Sequence, residues 1–227
     1  MKESRTNTDW VSDAPTPAQL KEFFAQMERG KITKERLQAF LRGGVEISDM
    51  LRDWEKFYLE TFGIKVDLSG LNVPPHKKGF DRLIVVILGI TPQKIYDKCK
   101  DLFPCWKWTD KSLDEIVTSD RTAKDGTYAV WFKDVVEADE KLKNLSANDL
   151  KKKEISGITL EERLLYELKL FQETEEHLDI SSWTLCAGSR YGDGYAPNVD
   201  WNCGGLKVDW YYSDDRDEVL RSRQAVS

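Results

Sequence analysis

Apolar residues recur at helical spacing through the first sixty positions. Thr16-Pro17 opens a stretch in which Leu20, Phe23, Phe24 and Met27 share a face, with Gln19 placed to complete a capping box and Gly30 to end the helix. The pattern predicts a second short helix from Thr33, carrying Leu37, Phe40 and Leu41 and stopping at Gly43-Gly44. A third is expected from about Ser48 to Thr61, with Leu51, Trp54, Phe57 and Tyr58 on one side and Gly63 at its end. Residues 1–63 therefore read as a helical N-terminal unit, and a boundary is expected near residue 64.

Beyond it the periodicity changes. Val66 to Pro75 suits an extended segment and a turn, and Asp81 to Gly89 holds a continuous apolar run that fits a strand buried on both faces. Thr91-Pro92 restarts a helix bearing Ile95, Cys99 and Leu102; Trp106 and Trp108 stand two apart as on one face of a strand; Ser112 caps a short helix. Asp125-Gly126 supplies a turn before a strand over Thr127 to Val136. The Thr159-Leu-Glu-Glu capping box begins the clearest helix, which continues through Leu160, Leu164, Leu168 and Phe171 to about Glu176 and is expected to lay one face on the sheet. The class is α+β.

The last forty-odd residues carry the candidate chemistry. After a strand over Trp183 to Ala187, two alternating runs, Val199 to Asn202 and Leu206 to Tyr211, flank Cys203-Gly204-Gly205 as a hairpin. Alternation sends Val199, Trp201, Leu206, Val208 and Trp210 to the core, and Asp200, Asn202, Lys207, Asp209 and Tyr211 outward together. Tyr, Asp, Asn and Gly are the residues of binding loops, where Tyr offers contact area at low entropy cost. The flanking loops repeat them with Tyr191, Asp193, Tyr195 and Asn198 on one side and Tyr212, Ser213, Asp214, Asp215 and Asp217 on the other. Arg216, Arg221 and Arg223 are placed to pair with carboxylates and fix those loops.

Composition narrows the classes of function. A 40% hydrophobic content with eight Trp, eight Tyr and nine Phe in 227 residues supports a packed core, and a net charge of −6 gives no footprint for a phosphate backbone, so nucleic acid is not expected as a partner. Lys141 to Lys153 is interleaved with acids and reads as a solvated face. No apolar run reaches membrane-spanning length, and Met1 to Asp13 lacks the apolar centre of a signal peptide, which makes the cytoplasm the expected location. Cys99, Cys105, Cys186 and Cys203 match no zinc spacing and are expected to be reduced, with a Cys186–Cys203 disulfide left open should their segments pair.

The residues Gly188-Ser189-Arg190, a polar loop, Val199-x-Trp201, then Asp215-Arg216-Asp217 and Leu220-Arg221-Ser222-Arg223 resemble the C-terminal end of C-type-lectin-like domains of the formylglycine-generating-enzyme type. That group frames its ligand surface with Gly-Gly-Ser-Trp and Gly-Phe-Arg; Arg190 replaces the Trp here, and Leu220 to Arg223 departs from the closing motif. The resemblance spans about residues 183–227 and implies a mixed α/β C-type-lectin-like domain over 64–227, with a ligand-display segment at about 186–227. Within the group the chain is similar to the variable proteins of diversity-generating retroelements, whose Asn-type codons are rewritten to Tyr, Asp, Ser, Cys or Gly, and to uncharacterised proteins of candidate-phylum bacteria. The implied function is non-enzymatic binding of a protein or glycan through Tyr191, Asp193, Tyr195, Asn198, Asp200, Asn202, Lys207, Asp209, Tyr211, Tyr212 and Asp214, with no catalytic residue, metal or cofactor. Lys207 fits the codon pattern less well. The N-terminal helices are candidates for docking a partner protein or for self-association.

Three alternatives stand beside this expectation. A structural or assembly protein would carry no diversified site. An enzyme of the formylglycine-generating kind would need two reactive cysteines at a groove, and an iron-dependent relative a histidine cluster, whereas His76 and His177 lie far apart. Calcium-dependent sugar binding would draw on Asp214, Asp215 and Asp217 with Asp200, Asn202 and Asp209.

Overall fold

The computed structural model describes residues 16–33, 37, 47–124, 126–192 and 194–227. The helix expected from Thr33, the Asp125 half of the Asp125-Gly126 turn and the candidate ligand residue Asp193 lie outside them. The chain divides into two compact units, Met1–Met50 and Leu51–Ser227. In the first, α1 (Pro17–Glu28) begins with the capping box read from the sequence: the Thr16 hydroxyl accepts from the Gln19 amide, and the Gln19 side chain accepts from the Thr16 amide.

The boundary expected near residue 64 falls instead between Met50 and Leu51. The reason lies in α2 (Ile47–Phe62), whose buried aromatic face meets the first strand of the sheet region and Lys169. The Trp54 indole donates to the Leu83 carbonyl at 3.1 Å and the Tyr58 hydroxyl to the Val85 carbonyl at 2.7 Å, both within β1 (Arg82–Val86). Burying Trp54, Phe57 and Tyr58 there contributes about 1.5–3 kcal/mol each, which a separate helical unit would forgo.

β1 pairs antiparallel with β4 (Tyr128–Phe132), and Val226 closes this ladder by bridging Trp131. Between them run α3 (Pro92–Leu102), capped by Thr91, then β2 (Cys105–Lys107), the single turn α4 (Leu113–Ile116) and β3 (Val117–Ser119). A 3₁₀ turn (Glu140–Leu142) and α5 (Ala147–Lys152) precede α6 (Leu160–Thr174). The main sheet has the order β2-β8-β7-β5-β9, formed with β5 (Trp183–Leu185), β7 (Ala196–Asn202), β8 (Gly205–Tyr211) and β9 (Leu220–Arg221), while β6 (Ser189–Tyr191) pairs with β3.

The capping box of α6 forms as expected, with Thr159 and Glu162 satisfying each other's amides. Its single apolar face does not. Every residue from Leu160 to Leu170 is buried, because α6 packs on α3, β1 and β7 together. Charges on such a helix need partners. Arg121 grips both oxygens of Glu162 at 2.7 and 2.8 Å; Arg163 meets Glu167 at 2.8 Å and Asp179 at 2.9 Å; Lys169 meets Asp53 at 2.6 Å. Arg223 reaches the same Asp179 at 2.7 Å and donates to the Val135 and Val136 carbonyls, tying the segment after β9 to the centre of the domain. No helix among the described residues is long and apolar enough to cross a membrane.

Candidate functional site

The β7–β8 hairpin is held by a complete antiparallel register from Ala196↔Tyr211 to Asn202↔Gly205. Cys203 and Gly204 form its two-residue turn, both at positive φ (53° and 75°), the geometry that matches the twist of the strands. Gly205 is equally constrained, since a Cβ there would lie 3.0 Å from the Pro104 carbonyl oxygen of the neighbouring strand segment.

Val199, Leu206 and Val208 are fully buried, as the alternation predicts. Trp201 packs flat on the His177 imidazole, with centroids 3.3 Å apart and Phe103 edge-on at 5.6 Å. The other ring of His177's environment is electrostatic: its Nδ1 lies 2.8 Å from the Glu167 carboxylate. Burial opposes ionisation of that carboxyl, but Arg163 and His177 outweigh it and hold Glu167 below its ordinary value.

The expected ligand residues separate into two groups. Asn198 opposes Asp209 and Asp200 opposes Lys207, so Asn198, Asp200, Asn202, Lys207, Asp209 and Tyr211 do share one face. Tyr195 and Tyr212 gather on the other side around Trp210: Tyr195 stacks on the indole at 4.6 Å, and Tyr212 stands edge-on to both rings at 4.7 and 5.4 Å. Trp210, assigned by alternation to the core, is thus the centre of a half-exposed aromatic cluster, and Tyr212 is 51% exposed at its rim. Tyr191 belongs to neither display group. It is buried edge-on against Trp108 at 5.0 Å, and its hydroxyl donates to the Asp209 carbonyl at 3.4 Å.

The polar face is not the open solvent face that strict alternation predicts. Leu142, Ala147 and Leu150 form a second apolar cluster with Leu185, Ala196 and Leu220, so the 3₁₀ turn and α5 cover one end of the sheet's outer side. Trp183 and Tyr211 pack at its edge, with their rings 6.1 Å apart. On this face Asn198 is only 2% exposed and Asp200 only 4%. Asn198 Oδ1 and Asp200 Oδ2 are buried and receive no hydrogen bond, a situation that ordinarily costs about 1–3 kcal/mol per polar group and more for a charge. Burial pushes the Asp200 carboxyl up to about 6 against the pull of Lys207 and Arg163. Beside it, burial and the carboxylates of Asp217, Asp209, Asp215 and Asp200 push the Tyr211 phenol up to about 12, so the hydroxyl stays protonated.

The loop after β8 is fastened rather than loose. Asn148 donates from its amide side chain to Asp214 at 2.7 Å, Ser213 donates to the Gly194 carbonyl, and Arg216 grips both oxygens of Asp149 at 2.6 and 2.8 Å. These contacts come from α5 and the β6–β7 loop and give the arginine of Asp215-Arg216-Asp217 the anchoring role its type suggests. Asn202 accepts from the Cys203 thiol at 3.1 Å at the hairpin tip.

Among the described residues no group of three or more His, Cys, Asp or Glu is arranged to hold a metal ion, which leaves the Asp214, Asp215 and Asp217 cluster without a calcium geometry. All four cysteines are free thiols; Cys186 is buried and Cys203 exposed. Sequence reasoning missed Trp183, Trp108 and Trp210 as site residues: alternation assigns Trp210 to the core, Trp108, just past β2, reads as core packing, and Trp183 reads only as the start of a strand. Comparison with family models, curated proteins and solved structures finds no match for the chain.

Proposed function

We propose that the chain is a non-enzymatic ligand-binding protein of the C-type-lectin-like kind, presenting polar and aromatic side chains from the β7–β8 hairpin and its flanking loops, as the variable proteins of diversity-generating retroelements do. The observation that carries this reading is the half-exposed Tyr195, Trp210 and Tyr212 cluster, mounted on a fully paired hairpin whose following loop is fastened by Arg216 on Asp149. Rigid aromatic groups on a fixed frame lose little entropy on binding and supply the anchors of most protein interfaces. The ligand is a protein or a glycan. Free thiols, one of them exposed at the hairpin tip, suit a reducing compartment such as the cytoplasm.

Probing protein and glycan arrays with the full chain and with its Tyr212→Ala variant tests the reading. Binding by the parent that falls at least about tenfold in the variant supports it. Silence on both arrays, or binding indifferent to Tyr212 and Tyr195, overturns it. Sequencing the gene across related cells gives a second readout: substitutions clustered at Tyr195, Lys207, Asp209, Tyr211 and Tyr212 support a diversified surface, and uniform scatter sinks it.

A further inference from the structure

Trp106 is the only exposed tryptophan among the described residues, at 49%. It lies on β2, which ends the main sheet on the side away from β9. The parallel register sets it beside Lys207 of β8, so the indole stands on the polar face of the hairpin with Lys207 and Asp209, both half-exposed, as its neighbours there. The 3₁₀ turn and α5 cover the opposite end of that face, over Leu185, Ala196 and Leu220. Among the described residues no aromatic ring and no cation lies against Trp106; Lys107, next along the strand, holds its ammonium 5.9 Å from the Tyr96 ring instead. The polar neighbours are also unspent. Lys207 Nζ forms no hydrogen bond or ion pair among these residues, and Asp209 gives one carboxylate oxygen to the Trp210 amide and keeps the other.

We propose that Trp106, Lys207 and Asp209 form a binding site for a neutral glycan, one sugar ring lying on the indole and its hydroxyls bonding to the ammonium and the carboxylate. The mixture of charges selects the ligand. A cation drawn to the indole would meet the Lys207 ammonium, and an anion paired with Lys207 would meet Asp209 and, across the ladder, Asp200. An apolar side chain would cover the indole but strip water from an ammonium and a carboxylate without replacing their hydrogen bonds, at about 1–3 kcal/mol or more for each. Sugar hydroxyls both donate and accept, so they satisfy Lys207 and Asp209 at once while the C–H face of the ring covers the indole. The spacing agrees. Neighbours in register lie about 4.8 Å apart and diagonal ones about 7–8 Å, so a ring over Trp106 borders on both groups. The site is separate from Tyr195, Trp210 and Tyr212, which gather on the other side of the hairpin. The assignment rests on the ligand-binding reading and narrows the ligand of this face to a glycan.

The test is an amide and indole chemical-shift titration of the full chain with maltotriose, cellotriose, mannotriose and chitotriose, and with sialyllactose as an acidic control. At least one neutral oligosaccharide is expected to move the Trp106 indole signal, and to do so equally in Tyr212→Ala. Trp106→Ala is expected to weaken that binding at least about tenfold, followed on the Lys207 amide. Lys207→Ala provides a second variant should Trp106→Ala alter the fold, and its response is expected to fall as well. No shift at Trp106 with any of the four, a shift with sialyllactose alone, or undiminished binding in both variants overturns the proposal. A chain that binds array ligands through Tyr212 but leaves Trp106 unmoved loses only the glycan site; silent arrays count against the broader reading instead.

Discussion

Lys207 stands directly opposite Asp200 across the β7–β8 ladder, and no ion pair joins them. Burial raises the carboxyl against the pull of Lys207 on β8 and Arg163 on α6, with Asp179 and Asp209 adding to the rise. An acid whose folded value is raised from 3.8 to about 6 binds its proton more tightly when folded, so its stabilising contribution is complete below 3.8 and is lost as pH rises through 6. Urea denaturation of the parent and of Asp200→Asn across this range is expected to show the variant gaining relative stability up to about pH 6 and holding that gain above it. A constant difference between the two would contradict the assignment of Asp200 as a buried, unpaired carboxyl.

Glu161 extends the same argument to a second pH window. Burial, with Glu162 beside it, pushes its carboxyl up to about 8. Stability tied to Glu161 is expected to decline as pH rises from 4.5 to about 8, and Glu161→Gln to remove that slope while leaving the slope near Asp200 intact.

Arg223 and Asp179 form the pair on which the C-terminal frame depends. Both are buried, and Asp179 also holds Arg163. Arg223→Ala strands part of a buried carboxylate and leaves the Val135 and Val136 carbonyls without that donor, so a loss of about 3–5 kcal/mol is expected in chemical denaturation. An unchanged midpoint would mean that the network does not carry the fold.

Gly188 sits where backbone segments cross. A Cβ there would meet the Gly157 carbonyl oxygen at 2.7 Å, and backbone cannot move aside as a flexible side chain can. Gly188→Ala is expected to cost about 1–3 kcal/mol through overpacking, read as a lower thermal midpoint. Gly192→Ala, with open space around its Cβ position, serves as the matched control.

The thiols differ enough to be told apart by labelling. Cys203 is exposed at the hairpin turn, whereas Cys99 and Cys186 are buried and burial raises both. One fast-reacting thiol, lost in Cys203→Ser, is expected under native conditions, with Cys99 and Cys186 reacting only on unfolding. Rapid modification of all four would indicate that the sheet core opens readily.

Local signals located most of the elements. Thr159 with Glu162, Thr16 with Gln19 and Thr91-Pro92 begin helices where they were expected, because a cap is settled within four residues of chain. The β7–β8 hairpin followed from alternation and from Cys203-Gly204, since the turn and the pleat are also local. What α2 packs on was not legible, because it is equally amphipathic whether its partner is a helix or a sheet, and only the Trp54 and Tyr58 hydrogen bonds to Leu83 and Val85 place it on β1.

The candidate site was legible as a set of positions but not as a surface. The sequence by itself determined which residues of the hairpin share a face, because side chains alternate with a fixed period of two. Tertiary structure alone decided which of those faces meets solvent. α5 and the turn before it, some fifty residues upstream of the hairpin, cover one end of the polar side, on which Asn198 and Asp200 are buried, while Trp108 packs on Tyr191 and Trp210 gathers Tyr195 and Tyr212 at the edge. Burial depends on what packs from far along the chain, and no periodicity within a strand encodes that partner.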